Sequence, residues 1–263
     1  MDAARVLALY DSEERMGREW PGMRREVTPH VIRQLDLPGR ESFINCSFMS
    51  DATADEGIAA QIDFFERAGQ HFEWKVYEHD EPRDLRERLV ARGFEAGEEE
   101  AVMALELAET PAALLRPTGH DVRRVESAEG IRDLVSVQDA VWEQNRAWLG
   151  RQLAEEFERT PDELSMYVAY FEGVAAASGW VRFPAGGSFA SLWGGSTLPA
   201  SRRRGLYTAL LAARVEEARR RGYPYLTIDA GPMSRPLVER FGFRLLTHTT
   251  PCRWRVRNPR GEE

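Results

Sequence analysis

The chain has 263 residues, a formal net charge of -8, a pI of about 5.4 and 43% hydrophobic residues, enough for a globular protein with real cores. The acidic balance gives no footprint for non-specific binding to nucleic acid or to anionic membranes, so any anion site must be local. No apolar run approaches the roughly 18 residues of a membrane span. The N-terminal sequence also lacks the basic start and apolar core of a signal peptide, which predicts a cytoplasmic protein.

Cysteine and histidine spacing predicts neither a disulfide framework nor a metal centre. The two cysteines, Cys46 and Cys252, lie far apart in the sequence, and the five histidines show no HxxxH or HExxH pattern. Two reduced thiols buried in the core are therefore the favoured interpretation.

The two halves of the chain carry the same order of predicted elements. In the first half these are a strand, an amphipathic helix, a strand, a short helix and a strand, at residues 41–48, 54–69, 71–80, 84–94 and 100–107. In the second half the matching elements lie at residues 188–198, 205–222, 223–231, 234–243 and 253–256.

One constant offset in numbering relates the two halves. It places the Gly-Phe pair at 93–94 on the pair at 242–243, and it also places Asp80 on Asp229. A shared offset at a strand end and a helix end indicates a duplicated unit. A proline-containing break without periodicity, at residues 111–119, separates two predicted domains, residues 1–110 and 120–263.

The two copies differ where the long helix begins. In the first copy, Asp51, Asp55 and Glu56 stand where carboxylates cap a helix and match its positive end. In the second copy the sequence Ser-Arg-Arg-Arg-Gly at 201–205 offers no acidic residue, and it follows a strand containing Gly194-Gly195. A solvated basic turn is the alternative, but free amides at a positive helix end favour a bound phosphate group.

With this loop and the elements around it, the second half resembles the GNAT superfamily of acyl-CoA-dependent N-acyltransferases. Arg202, Gly205 and Tyr207 stand at the positions of its Arg/Gln-x-x-Gly-x-Gly/Ala signature, and the short helix at 234–243 ends in Gly-Phe. The resemblance covers roughly residues 120–257. It places a first strand, two helices and a central hairpin at 121–126, 127–160 and 166–183.

The resemblance implies an α/β (α+β) architecture with two GNAT-like domains. Each domain would have a mixed, mostly antiparallel central sheet flanked by helices, and the first would be a degenerate copy without the phosphate loop. It also implies an N-acetyltransferase that uses acetyl-CoA, without a metal, to acetylate an amine of a small molecule or a peptide.

The resemblance assigns the cofactor contacts to one loop. Main-chain groups at Thr197 and Leu198 would pair with the pantetheine of CoA, and amides from Arg203 to Thr208 would hold its pyrophosphate. Arg202 or Arg204 would add positive charge. The predicted cofactor-binding residues are Thr197, Leu198, Arg202, Arg203, Arg204, Gly205, Leu206, Tyr207 and Thr208.

Two side chains that family members use for proton transfer are absent. Trp193 stands where a glutamate takes the proton of the amine, and Val238 stands where a tyrosine protonates the thiolate. Candidate bases in their place are Asp229, Glu143 and Ser191. Each also has an interpretation without chemistry, as a turn cap, a solvated helix residue and a packing group.

Trp193 and Trp142 are candidates to line the acceptor pocket, with a core position as the alternative for Trp193. Two other functional classes stay open. The missing proton-transfer groups fit a CoA-binding sensor or scaffold without turnover, and a solvated arginine loop fits a structural interaction protein. Release of CoA over a panel of amines distinguishes the acetyltransferase from the sensor or scaffold. Nucleotide binding distinguishes both of them from the structural interaction protein. No oligomeric state is predicted.

Overall fold

A computed structural model describes residues 1–36, 42–116 and 118–256. These residues divide into two compact units that do not follow chain order. Unit 1 contains Met1, Met103–Asp229 and Pro236–Arg244, whereas unit 2 contains Asp2–Val102, Ala230–Arg235 and the chain from Leu245 onward. The stretch predicted as a linker, 111–119, lies in unit 1 and holds the short helix α4 (Ala112–Leu115). The division into domains at this linker stays a prediction.

The elements of unit 2 begin before the first one predicted from the sequence. Helix α1 runs into a π-helical turn (Asp11–Gly17) and is followed by an antiparallel hairpin of two strands. The hairpin escaped prediction because its edge strand is mostly charged and shows no alternation. In the first half of the chain the bounds are α1 (Ala3–Tyr10), β1 (Met23–Val27), β2 (Val31–Asp36), β3 (Ser42–Cys46), α2 (Asp51–Ala68), β4 (Phe72–Tyr77), α3 (Leu85–Ala91), β5 (Glu95–Ala96) and β6 (Glu100–Glu106), of which β6 continues past Val102 into unit 1.

Strand β12 (Arg244–Trp254), the last strand among the described residues, pairs antiparallel with β4 and completes the sheet of unit 2. The strand order there is β1-β2-β3-β4-β12, and only β3 and β4 are parallel. Cys252 lies opposite Trp74, and both are fully buried in one apolar cluster with Phe65 of α2. The strand predicted at 253–256 begins instead at Arg244. Its first part was not predicted, because buried threonines there hide the alternation of apolar and polar residues.

The second half of the chain forms a sheet in the order β7-β8-β9-β10-β11. Its pairs are antiparallel except for β10 and β11, so the predicted mixed, mostly antiparallel sheet flanked by helices is confirmed. The bounds are β7 (Asp121–Arg124), α5 (Ala128–Trp142), α6 (Ala147–Arg159), β8 (Leu164–Phe171), β9 (Val174–Arg182), β10 (Phe189–Thr197), α7 (Leu206–Arg220), β11 (Tyr225–Ala230) and α8 (Arg235–Arg240).

The two faces of this sheet carry different helices. Met166 and Val168 of β8 pack in an apolar cluster with α5 and α6. Between them, Tyr167 donates its hydroxyl hydrogen bond to Glu217 of α7. Because successive strand residues point to opposite faces, α5 and α6 cover one face and α7 covers the other.

Matching helix ends support the duplication. The Gly-Phe pairs at 93–94 and 242–243 both have a glycine with positive φ, 100° and 85°. In each pair the phenylalanine N–H donates to the carbonyl five residues earlier, at 3.1 Å in the first and 3.2 Å in the second. Both helices therefore end in the same hydrogen-bonded motif with a buried aromatic ring.

No helix formed by residues 1–36, 42–116 or 118–256 combines the length and the apolar character that crossing a membrane requires.

A fragment of residues 1–110 should not fold cooperatively. It lacks β12, so the edge of β4 is unpaired and Trp74 loses its contact with Cys252. Thermal unfolding followed by circular dichroism is expected to be broad for the fragment and sharp for the full chain. A synthetic peptide of residues 244–256 should sharpen it, and the same peptide with Cys252→Asp should not. A sharp transition for the fragment alone would contradict this account.

Candidate functional site

The loop before α7 has the backbone of an uncapped helix start. Gly205, the N-cap residue, has φ of 82°, and no side chain caps the helix. Arg203 also lies in the left-handed region, at φ of 61°. Glycine adopts this region freely, whereas an arginine there is strained.

The main-chain amides from Arg203 to Thr208 have no hydrogen-bond acceptor among the described residues. The first main-chain bond of the helix runs from Ala209 N to Gly205 O, at 2.9 Å. Consecutive free amides at the positive end of a helix form an anion site.

Helix α2 in the other copy is capped, although not by the residues expected from the sequence. Ser50 is the N-cap, and its N–H donates to Thr53 Oγ1 at 3.0 Å. Asp51 and Asp55 instead form ion pairs with Arg88 of α3, at 2.7 and 3.6 Å. The helix begins at Asp51, earlier than predicted, which places these carboxylates within reach of α3.

Three side chains hold the loop before α7 in place. Arg202 Nε donates to Thr197 O at 3.3 Å, and the Arg204 guanidinium lies 4.5 Å from the centre of the Phe171 ring. His120 Nε2 lies 2.8 Å from the point where a Cβ on Gly205 would stand. Sequence reasoning missed His120 because a lone histidine carries no pattern.

Beside this loop, β10 and β11 separate. They pair in parallel over three positions, from Phe189 opposite Tyr225 to Ser191 opposite Thr227. Strand β10 then continues to Thr197 and β11 to Ala230, and no pairing between them is seen along these described segments. The two strands therefore leave main-chain groups available for an extended ligand between them.

The predicted contacts at the end of β10 are partly occupied within the protein. Leu198 N–H donates to Ala176 O at 2.9 Å, and Leu198 O accepts from Ser201 N–H at 2.8 Å. Thr197 Oγ1, in contrast, is buried and has no hydrogen-bond partner in the described chain. Thr197 is thus the better placed of the two to bind a ligand.

A β-bulge interrupts the pairing of β10 with β9. The register shifts between Trp193 and Ser196, and Gly194 in the bulge has φ of 59°. A Cβ on Gly194 would stand 1.8 Å from the ring of Trp180. Glycine is therefore required here both for backbone conformation and for space.

A buried glutamine of α5 fixes the bulge. Gln138 Nε2 donates to Gly194 O at 2.6 Å and to Ser178 Oγ at 2.9 Å, and Gln138 Oε1 accepts from Ser196 Oγ at 3.3 Å. The amide thus bridges the two strands where their own pairing fails. Its sequence signal is weak, a single polar residue on the apolar face of a helix.

Trp193 and Ser191 are brought together on one face of β10. Trp193 Nε1 donates to Ser191 Oγ at 2.9 Å. The guanidinium of Arg182 lies 5.1 Å from the Trp193 ring and forms a bidentate ion pair with Glu156, at 2.7 Å for both bonds. Trp193 is half-buried and packs against the apolar cluster beneath α5 and α6, so part of its ring contacts the core.

The remaining predicted residues lie on separate elements. Glu143 is exposed and ends α5 with φ of 51°, whereas Asp229 is half-buried on β11. Trp142 is 54% exposed, with the Arg146 guanidinium 4.8 Å from its ring. Val238 is completely buried on α8 and can donate no proton. In the described ranges no cluster of histidine, cysteine and carboxylate side chains could hold a metal ion.

Sequence reasoning also missed Arg214, a buried arginine on α7. Its side chain is 1% exposed, and its Nε donates to Leu210 O at 3.0 Å. Burial lowers the pKa of Arg214, while Tyr207 and Tyr167 act in the opposite direction. The signal in the sequence was a single arginine within an otherwise apolar helix face.

Tyr207, the bulky residue at the last signature position, turns inward. Gly195 lies against its ring, so that a Cβ there would stand 3.3 Å from Tyr207 Cε2. Burial raises the pKa of Tyr207, and the neighbouring Arg214 opposes that rise. The phenol ring therefore covers the bulge of β10 from the side of α7.

Comparison with known proteins confirms the resemblance. Residues 131–243 match the model of the "Acetyltransferase (GNAT) family". No curated protein matches the chain. Among solved structures, a GCN5-related N-acetyltransferase from Kribbella flavida is similar with a TM-score of 0.72 and 17% identity, covering 95% of each chain.

Two further structures share the fold over nearly the whole chain. A GCN5-related N-acetyltransferase from Sphaerobacter thermophilus has a TM-score of 0.64 and 16% identity, covering 98% of this chain and 93% of its own. A tandem GNAT protein from the clavulanic acid biosynthesis pathway has a TM-score of 0.60 and 13% identity, with coverage of 98% and 89%. Identities this low establish the fold alone.

Replacing Gly194 by alanine should destabilise the protein more than the same replacement at another glycine with a positive φ. The new methyl group would meet the Trp180 ring at 1.8 Å. We expect Gly194→Ala to lower the free energy of unfolding by about 3 kcal/mol or more in urea denaturation. The control is Gly173→Ala, at φ of 80° with open space around it, which should cost about 1 kcal/mol. Equal losses would show that Trp180 does not constrain the bulge.

Proposed function

We propose that this protein is an N-acetyltransferase that uses acetyl-CoA, from the premise that residues 131–243 match the acetyltransferase (GNAT) family. The observation that supports this most directly is the run of free amides from Arg203 to Thr208 beside the separated strands β10 and β11. The acceptor is an amine of a small molecule or a peptide.

The pyrophosphate of CoA binds at the start of α7 in this proposal. The free amides donate to its oxygens, and the positive end of the helix favours its charge. Arg202 and Arg204 add positive charge on the same loop, both with exposed side chains. Because the whole chain is acidic, this local charge is what attracts the anion.

The pantetheine extends along β10 in the space that β11 leaves free. Its amides pair with main-chain groups of β10 as an added strand would, up to Thr197. The buried Thr197 hydroxyl, which has no partner among the described residues, supplies one further hydrogen bond. Leu198 contributes the turn that leads into the phosphate loop.

The thioester then lies at the bulge of β10. The lone pair of the amine attacks the carbonyl carbon, and a main-chain N–H at the bulge stabilises the oxyanion. Collapse of the intermediate breaks the C–S bond and leaves the electron pair on the sulfur of CoA. Holding the amine and the thioester together supplies much of the rate, which lowers the demand on a base.

Asp229 is the strongest of the three candidate bases. It lies on β11 beyond Thr227, where the strands have separated, so it borders the space proposed for the thioester. Ser191 lies where the two strands still pair, and Glu143 stands at an exposed helix end. Trp193 and Trp142 remain candidates to border the acceptor.

One observation favours a second function, a CoA-binding sensor or scaffold without turnover. The two positions at which relatives carry proton-transfer groups hold Val238, which is completely buried, and Trp193, whose indole N–H is engaged by Ser191. Both functions require CoA at the same loop. Release of CoA from acetyl-CoA in the presence of amines distinguishes them.

Changing Thr208 to glutamate should strongly weaken CoA binding without unfolding the protein. Position 208 is the third helical residue, where a glutamate reaches back to the free amides and stabilises the helix start. The same carboxylate repels a pyrophosphate. Calorimetric titration should show acetyl-CoA binding weakened on the order of 100-fold or more, with an unchanged or higher melting temperature.

The matched control is Thr208→Gln, which has the same shape without the charge. Because it adds no charge, its affinity for acetyl-CoA should stay within roughly threefold of the wild type, a difference of less than about 1 kcal/mol. Wild-type affinity in a folded Thr208→Glu variant would place the cofactor elsewhere. No binding to the wild type would overturn the proposed function in both forms.

The candidate bases can be separated once an amine substrate is found. Asp229→Asn should lower kcat/KM at neutral pH by roughly 100-fold or more, because it removes the proton acceptor. Glu143→Gln and Ser191→Ala should leave the rate within about threefold. A large loss in either of these variants, with Asp229→Asn active, would reassign the base.

A further inference from the structure

One buried cation near the bulge of β10 takes no part in the chemistry described so far. Tyr207 and Arg214 are separated by two helical turns and therefore lie on the same face of α7. Tyr207 packs against Gly195 of β10, and Arg214 packs against Gly179 of β9. Gly179 stands between the residues paired with Trp193 and Ser196, so it lies opposite the bulge.

Gly179 makes room for the guanidinium. A Cβ at this residue would stand 2.9 Å from Arg214 Nη1 and 3.4 Å from Trp193 O. Gly179 does not have a positive φ, so its backbone conformation does not require glycine. The missing side chain instead allows the cation to approach the main chain of the bulge.

No described residue neutralises Arg214. No ion pair joins it to a carboxylate of the described chain, and the hydrogen bond seen for its side chain runs from Nε to the main-chain oxygen of Leu210, which carries no charge. Its titratable neighbours are Tyr167 of β8 and Tyr207 of its own helix. A buried cation without a partner destabilises a fold and is stabilised by an approaching negative charge.

The nearest buried acidic residue along α7, Glu217, is already engaged. Its carboxylate accepts hydrogen bonds from Tyr167 and Ser165, and it pairs with Arg221 at 2.7 Å. Arg124 of β7 lies 3.9 Å from the same carboxylate. The negative charge of Glu217 is therefore balanced by other groups, so it does not neutralise the positive charge of Arg214.

We propose that Arg214 supplies the positive charge that stabilises the anion formed from the thioester at the bulge of β10. This inference rests on the proposed function, which places the thioester carbonyl at the same bulge. Charge develops first on the carbonyl oxygen and then on the departing sulfur, and a cation enclosed by protein acts on both.

The step then needs no acid at the position of Val238. The nitrogen lone pair forms the C–N bond, the C–S bond breaks, and its electron pair leaves on sulfur as the thiolate of CoA. The nitrogen gives up its proton to Asp229 or to water. The thiolate leaves as an anion, stabilised by Arg214, and is protonated in solvent.

The thiol of bound CoA tests this proposal without an acceptor amine. A nearby cation favours the thiolate, so the pKa of the CoA thiol should fall by about one unit on binding to the wild type. The ultraviolet absorbance of the thiolate, followed against pH, measures it. Arg214→Met should return this pKa to that of free CoA, and Arg214→Lys should retain part of the shift.

Arg219→Met is the matched control, because it removes the same charge from an exposed position on the same helix. It should leave the bound thiol unchanged. With an amine substrate, Arg214→Met should lower acetyl transfer by about 10- to 100-fold, while the Kd for acetyl-CoA stays within roughly threefold.

A wild-type protein that binds CoA without shifting its thiol pKa overturns this inference and leaves the proposed function standing. A shift that persists in Arg214→Met overturns it as well. Should that variant fail to fold, the wild-type and Arg214→Lys titrations still decide, since the first must show the shift. Absence of CoA binding to the wild type overturns the proposed function itself.

Discussion

The bulge of β10 is the constraint on which the proposed site depends. Two glycines break the pairing with β9, and Gln138 holds the displaced main chain by bonds to both strands. Strand β10 pairs with β11 only up to Ser191 and separates from it along the bulge. The space for an extended ligand, the strand that leads into the phosphate loop and the surroundings of Arg214 all meet at this irregularity. A regular ladder here would leave no unpaired edge inside the sheet.

Much of this arrangement could be predicted from local sequence. The long helices with glycine ends, the hairpin of β8 and β9, and the uncapped start of α7 all follow from residues close together in the chain. The loop with three arginines and a glycine pointed to an anion because a missing cap is itself a local feature. The same reasoning missed β1, whose charged edge residues give no alternation to recognise.

What could not be predicted depends on contacts between distant residues. Gln138 and Arg214 are polar residues on helices with ordinary sequences. Only the packed sheet shows that Gln138 bridges the bulge and that Arg214 lies beside it without an ion pair to a carboxylate of the described chain. The capping of α2 was misjudged for the same reason, because Asp51 and Asp55 are drawn to Arg88 on another helix. Tertiary partners, rather than propensity, decide the role of such side chains.

The position of β12 in the sequence has a consequence for folding during translation. The strand that covers Trp74, β12, is synthesised after residues 103–243, whereas strands β1 to β4 of the same sheet lie before Val102. At about 5 to 20 residues per second, the ribosome needs on the order of 7 to 30 seconds to pass from Val102 to Leu245. During that interval β4 presents a bare edge to the cell. We therefore expect the nascent protein to bind chaperones until β12 has emerged from the ribosome.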